Sequence, residues 1–251
     1  MKVCAINASP RGRNGNTFTI LTSMKKGMEE CGSEVNIVNL MEKDIKMCVG
    51  CFHCWDKCHD SEITCVLKDD VLEIFKQMLD SDLIIFASPI YYETISGLMK
   101  VFLERMVMLH NGGIIERDGV YSHDISLKVP PIAVLSSCDL PGKSNFEFVS
   151  AYMHKIAFDL KTELVAEIYQ SEARLLKWKS DSIQIVVNVQ KEIWENAGKD
   201  LVTIGKLSDK TIKKLHTPMI RFPYYLETAN EIAERTREKA RMNIRDGYGG
   251  Y

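Results

Sequence analysis

No apolar stretch of this chain approaches the length of a membrane span. The opening "MKVCAINASP" carries one lysine and an apolar run too short for the hydrophobic core of a secretory signal. An excess of either charge is missing too. The 32 Lys and Arg against 34 Asp and Glu leave a net charge of -2 and a pI near 6.3. That argues against nucleic acid or an anionic membrane as partner. The loop after the first strand carries neither G-x-G-x-x-G nor G-K-S/T, so the common dinucleotide and nucleotide fingerprints do not fit it. There is no internal repeat and no low-complexity linker. A cytoplasmic location is the expectation, and thiols stay reduced there. A disulfide framework is therefore the poorest explanation of the eight cysteines.

What is present is ordinary globular material: 251 residues, 45% hydrophobic and 26% charged, enough for one sizeable core. "KVCAINAS" reads as a short buried strand followed by the turn-rich "SPRGRNGNT". Phe18, Leu21, Met24, Met28 and Cys31 then recur at helical spacing, and Gly32 stops the helix. "EVNIVNL", "DLIIFASP", "PPIAVLSSC" and "TELVAEIYQS" supply four more strands. Helices are expected after Asp70 and after Ser144, with Glu73 and Glu147 completing capping boxes. Another is the strongly apolar "SGLMKVFLERMVML", and residues 181–207 read as mostly helical, although "IQIVVNV" alone could pass for a strand. Strands alternating with helices imply parallel pairing, right-handed crossovers and an open, doubly wound α/β sheet. Residues 1–207 form this unit. Residues 208–251, with "FPYY", a charged helix and "GYGGY", read as an appended helical extension.

Ligands of open α/β sheets bind outside the carboxyl ends of the strands, and three unusual loops leave strand ends here. "NASPRGRNGNT" offers Ser9, Asn16 and Thr17 as donors, Arg11 or Arg13 as charge, and Gly12 and Gly15 for close backbone approach, at a helix N-terminus suited to a phosphate. "SPIYYETISG" places two tyrosines beside a proline, a wall for a flat ring. "SSCDLPGKSNF" is the third. One loop for a monophosphate and two for a planar ring suggest flavin mononucleotide. The six histidines read as solvated or packed, Asp69 and Asp70 as helix caps, and Lys100 and Arg105 as pointing outward or toward a subunit neighbour. No side chain is assigned a catalytic proton transfer.

"CVGCFHCWDKCHDSEITC", residues 48–65, holds five of the cysteines. Cys48, Cys51 and Cys54 have the C-x2-C-x2-C spacing that places three thiolates on one iron–sulfur cube. Cys58 continues it at C-x3, although in ferredoxins that fourth cysteine serves the other cluster. A [4Fe–4S] cluster, reduced metal-free thiols and zinc are all open at this point. A zinc knuckle would make the chain a binding module instead of an enzyme.

Over about residues 1–145 the sequence resembles the flavodoxin-like NAD(P)H-dependent FMN reductases and the iron–sulfur flavoproteins that share their segments. The resemblance rests on "NASPRGRNGNT", "SPIYYETISGLMKVFLER" and "CVGCFHCW…CVLKDD". It implies a five-stranded parallel sheet of order 2-1-3-4-5 and FMN as cofactor. Ser9, Arg11, Gly15, Asn16 and Thr17 would hold the phosphate, and Pro89, Ile90, Tyr91 and Tyr92 would border the ring. Ser136, Ser137 and Cys138 would close the pocket. It also implies Cys65, and not Cys58, as the fourth cluster ligand. The implied activity takes hydride from NAD(P)H and passes electrons to a small acceptor such as a flavin, quinone or nitroaromatic. The alternative is an electron carrier serving a ferredoxin-like partner. A homodimer or homotetramer is expected, since the helix after Ser96 is apolar on nearly every face. The chain departs from the family at Glu104, where Asp is usual, and in a longer gap before Cys65.

Overall fold

The computed structural model describes residues 1–55, 63–125 and 127–245. Cys58, His59 and "GYGGY" lie outside the described residues. The five expected strands, β1 (Lys2–Asn7), β2 (Glu34–Asn39), β3 (Leu83–Tyr91), β7 (Ile132–Ser137) and β8 (Leu164–Gln170), form one parallel sheet of order β2-β1-β3-β7-β8. This is the expected 2-1-3-4-5 order. A two-residue strand, β4 (Thr94–Ile95), folds back antiparallel on the end of β3.

Helices cover both faces because the strands are apolar on both faces. α1 (Asn16–Glu30) and α5 (Asp181–Thr203) lie on one side, over a core containing Ile20, Met24, Ile85, Leu135 and Trp194. On the other side α2 (Val71–Leu79), α3 (Gly97–Glu104) and α4 (Glu147–Asp159) enclose Phe75, Phe86, Phe102 and Met153. α2 shows why it forms: Val71, Ile74, Phe75 and Met78 are buried at the i, i+3, i+4, i+7 positions of one stripe. "IQIVVNV" lies inside α5, where Val187 faces the core.

Two expectations change. Neither capping box forms. The Asp70 carboxylate accepts from the Asp44 N–H at 2.9 Å instead of capping α2, and a 3-10 turn at Ser144–Phe146 precedes α4. The apolar helix after Ser96 is also accounted for within one chain. Met99, Phe102, Leu103, Met106, Met108 and Leu109 are buried in the same core as Cys54, with Trp55 packed against it. Its apolarity therefore says nothing about assembly.

A hairpin, β5 (Ile114–Arg117) and β6 (Val120–His123), lies against the cysteine segment, with His123 and Trp55 ring centroids 4.9 Å apart. The C-terminal part adds α6 (Asp209–Leu215) and α7 (Phe222–Arg245). It is not separate from the main core, since Leu207 and Leu215 are buried in the α1–α5 layer.

α1 and α5 touch backbone to backbone. A Cβ at Gly27 would sit 2.0 Å from the Glu195 carbonyl oxygen, and one at Gly198 2.1 Å from that of Met24. Both contacts are with helix backbone, which cannot yield locally. Gly27→Ala should therefore destabilise the protein by about 1–3 kcal/mol through overpacking, although alanine is the better helix former. Urea unfolding of the variant measures this, and a stabilised variant would refute the close contact.

Candidate functional site

Parallel pairing brings the carboxyl ends of β1, β3 and β7 to the same edge of the sheet. The three strand-end loops meet there around a cavity of ≈ 130 Å³. It is lined by Ser9, Arg11, Asn16, Thr17, Pro89, Ile90, Tyr91, Ser137 and Cys138, together with Asp139 and Ala173. Of the residues expected from the sequence, three stand just off its wall. Gly15 lies behind Ser9, where a Cβ would come 2.2 Å from the Ser9 Oγ. Ser136 is buried in the sheet and donates to the Ser88 carbonyl at 2.8 Å. Tyr92 is 99% exposed at the rim. A larger cavity of ≈ 720 Å³ at the β8 edge gathers none of the expected cofactor residues.

The loop after β1 supplies a donor-rich end. Gly15, the N-cap of α1, makes no side-chain cap, so the first-turn N–H groups are left to other acceptors. Ser9 is 2% exposed and Thr17 fully buried. The Thr17 and Ser137 hydroxyls are 3.0 Å apart, joining the first loop to the third. Arg13 is committed to Glu42 at 2.7 Å, which leaves Arg11 as the exposed cation of the loop. The Asn16 amide donates to the Ala173 carbonyl at 2.7 Å, while its Oδ1 is buried with no partner. An orphaned acceptor at a cavity wall is suited to a ligand hydroxyl.

The second loop is a tight hairpin. Tyr92 and Glu93, between β3 and β4, have φ of 50° and 75°. A two-residue hairpin turn with both φ positive normally falls to Asn-Gly, so a tyrosine there is backbone strain held beside a cavity. From the third loop, Cys138 donates to the Leu140 carbonyl at 3.2 Å, and burial pushes its thiol up to about 12. It is a neutral wall and not a nucleophile. Asp139 and Ala173 were not legible as site residues. Ala173 follows the fifth strand, whose loop carries no glycine or motif.

The cysteine segment is held at its neck. Arg105, expected to point outward, points inward and is 1% exposed. Its guanidinium pairs with Asp69, donates to the Lys46 carbonyl at 2.8 Å, and reaches the Cys65 sulfur at 3.2 Å. A buried guanidinium needs acceptors on every side, and this loop provides them. Asp69 also accepts from the Lys46 N–H at 3.0 Å and from the Val71 N–H at the start of α2 at 3.3 Å, so it anchors the loop as well as the helix end. The Cys65 sulfur accepts from the Leu67 N–H at 3.5 Å as well. Cys54 is 7% exposed, while Cys48 is half-buried and Cys51 exposed. Burial pushes the Cys54 thiol up to about 11, and the nearby sulfurs of Cys65, Cys51 and Cys48 act in the same direction. Among the described residues no three metal-ligating side chains are gathered as a group. The donor set nevertheless fits a thiolate centre, four soft ligands in one segment with N–H donors on one sulfur.

Comparison with known proteins bears out the resemblance. Residues 1–119 match the family described as NADPH-dependent FMN reductase. An iron–sulfur flavoprotein of Archaeoglobus fulgidus is 37% identical over 107 residues, 43% of this chain and 46% of the relative. One of Methanocaldococcus jannaschii is 35% identical over 112 residues, 45% of this chain and 55% of the relative. The chain thus spans about half the length of the curated relatives it matches. Among solved structures, an FMN-dependent NADH-azoreductase of Bacillus anthracis, in complex with FMN, aligns with a TM-score of 0.59 at 13% identity, covering 81% of this chain and 100% of that one. An NAD(P)H:quinone oxidoreductase of Methanothermobacter marburgensis gives 0.56 at 14%, covering 80% and 96%. At such identities these likenesses establish the flavodoxin-like fold.

The Asp69–Arg105 pair has a pH signature. Burial alone would raise the Asp69 carboxyl, but Arg105 and the Lys46 and Val71 N–H groups outweigh it and hold it below its ordinary value. A depressed carboxyl stabilises the fold above its unfolded pKa of about 4, and that contribution is lost as pH falls through the folded value. Asp69→Asn leaves a buried cation, so it should cost about 3 kcal/mol at neutral pH. Urea unfolding should show the difference from wild type shrinking below about pH 4. A difference independent of pH would contradict the assignment.

Proposed function

We propose that the chain is an FMN-dependent oxidoreductase that takes hydride from NAD(P)H and passes electrons to a small acceptor such as a flavin, quinone or nitroaromatic. The observation that carries this reading is the convergence of three strand-end loops and an uncapped helix N-terminus on one cavity. The match of residues 1–119 supports it, as does the bound FMN in the azoreductase of the same fold.

In this reading the Ser9 and Thr17 hydroxyls, the first-turn N–H groups of α1 and the Arg11 guanidinium bind a phosphate. Gly15 lets the backbone close around it. The Asn16 Oδ1, with no partner of its own, would be free to accept from a ribityl hydroxyl. The enclosed space is small and would take a phosphate and its tether. Pro89, Ile90, Tyr91 and Tyr92 would border a ring at the open mouth, and Ser137 and Cys138 would close the far side, with Ser136 behind them in the sheet. FMN supplies the hydride and electron chemistry when bound. The protein's work is to bind it, orient it and leave one ring face open to NAD(P)H, and no side chain is assigned a proton.

A specific observation also favours the second reading, an iron–sulfur flavoprotein exchanging electrons with a ferredoxin-like partner. The Cys65 sulfur receives N–H groups from Leu67 and Arg105. Cys48, Cys51, Cys54 and Cys65 would hold a [4Fe–4S] cluster, which supplies one-electron exchange. The named relatives are iron–sulfur flavoproteins. The reading keeps the homodimer or homotetramer, with Tyr92, Phe222 and Tyr224 as exposed aromatic surface for it.

Removing two hydroxyl donors to a charged phosphate, at about 1.5–3 kcal/mol each, should weaken FMN binding at least about tenfold in the Ser9→Ala, Thr17→Ala double variant. Fluorescence titration reads this, and an unchanged affinity counts against the placement. For the cysteines, anaerobically reconstituted protein should hold about four iron and four sulfide per chain. Cys65→Ser should lose them and Cys58→Ser retain them. Iron-free protein after reconstitution would remove the cluster and leave the FMN reading alone.

A further inference from the structure

Residues 208–251 match no motif, yet part of them is fastened to the cavity's third loop. Asp139, which lines the cavity, is held from two directions. Its main-chain carbonyl accepts from the Tyr225 hydroxyl, and Tyr225 is only 4% exposed on α7. Its carboxylate accepts from Arg174 at 3.1 Å (Nε) and 2.8 Å (Nη2). The same guanidinium donates through Nη1 to the Ala229 carbonyl on α7, at 2.9 Å. Arg174 therefore bridges the loop to the C-terminal helix.

A second attachment lies one residue before Ala173, the other unexpected cavity residue. Glu172 is 1% exposed and sits in the left-handed region at φ 59°, where a glutamate is strained. Its carboxylate accepts from the Met219 N–H at 2.8 Å, just ahead of α7. Ala173 in turn donates its N–H to the Cys138 carbonyl at 2.9 Å and accepts from Asn16. Each of these contacts ends on a residue of the cavity wall or beside one.

We propose that residues 219–229 clamp the third loop, and that Tyr225 and Arg174 are positioning residues for the FMN site. The inference rests on the FMN reading above. Loops that leave a strand end with Pro141 and Gly142 (φ 96°) have little order of their own. The clamp fixes this loop before the cofactor arrives. Without it, binding bears the ordering cost, and apparent affinity falls by the fraction of time the loop is correctly placed. Among the described residues little of α7 enters either core, so loosening it should leave the rest of the fold intact.

The test compares wild type, Tyr225→Phe, Arg174→Lys, and Glu227→Gln, an exposed α7 control, as full-length apoproteins. FMN affinity is titrated by fluorescence, and apoprotein melting is followed without FMN. Tyr225→Phe and Arg174→Lys should each weaken FMN about five- to tenfold, the equivalent of one lost hydrogen bond, with melting unchanged and the control like wild type. Wild-type affinity in both variants would overturn the clamp while leaving the FMN site in place. Apoprotein melting that falls in step with affinity would overturn it too, since the residues would then be general stabilisers. Failure of wild type itself to bind FMN would remove the reading on which the clamp rests.

Discussion

The carboxyl ends of β1, β3 and β7 are tied together by buried hydroxyls, and the candidate site is the space those ties leave open. Ser136 donates to the Ser88 carbonyl. The Ser88 hydroxyl accepts from the Ser96 N–H at 2.9 Å, and Ser96 donates to the Ala8 carbonyl at 2.7 Å. Thr17 meets Ser137 across the gap. Polar groups this deep must be satisfied, and a fully satisfied network in a low-dielectric interior is rigid. It sets where each loop departs and therefore what can converge.

The same network reaches the cysteine segment through one short helix. Ser96 caps α3 at the cavity end, its side chain accepting from the Met99 N–H. Arg105 closes the other end and holds the neck of the cysteine loop through Asp69, Lys46 and Cys65. At 1.5 Å per residue the eight-residue α3 is about 12 Å long. The proposed flavin site and the proposed cluster segment thus share one rigid strut. The C-terminal extension fastens the opposite wall.

Much of this was legible in the sequence because parallel sheets bury both strand faces. "LIIFAS" and "IAVLSS" are apolar without alternation, and they occupy β3 and β7, two of the three strands with partners on both sides. The loop proposed to bind phosphate stood out by its donors and glycines, and the structure places it at the cavity. Arg105 was not. On an apolar helix a lone arginine looks like a surface residue, and its partner Asp69 lies 36 positions away in a loop. Asp69 and Asp70 showed the pattern of a cap, but the Asp44 N–H took the Asp70 carboxylate, and Asp69 serves Arg105 and Lys46 as well as the Val71 N–H of α2. The β5–β6 hairpin has no apolar run to announce it, and its local signal is only the Asp118-Gly119 turn, with φ of 53° and 76°. The α7 contacts with Asp139 and Arg174 had no sequence signal, because they join main-chain carbonyls to residues far apart in the chain.

The central claim is that the cavity is built for a flavin through its phosphate. The most direct measurement compares FMN with riboflavin, which lacks only that group, by titration of the apoprotein at one ionic strength. The account predicts one FMN per chain, bound at least about tenfold more tightly than riboflavin, as charge-assisted hydrogen bonds require. Equal affinity for the two, or binding of neither, would contradict it.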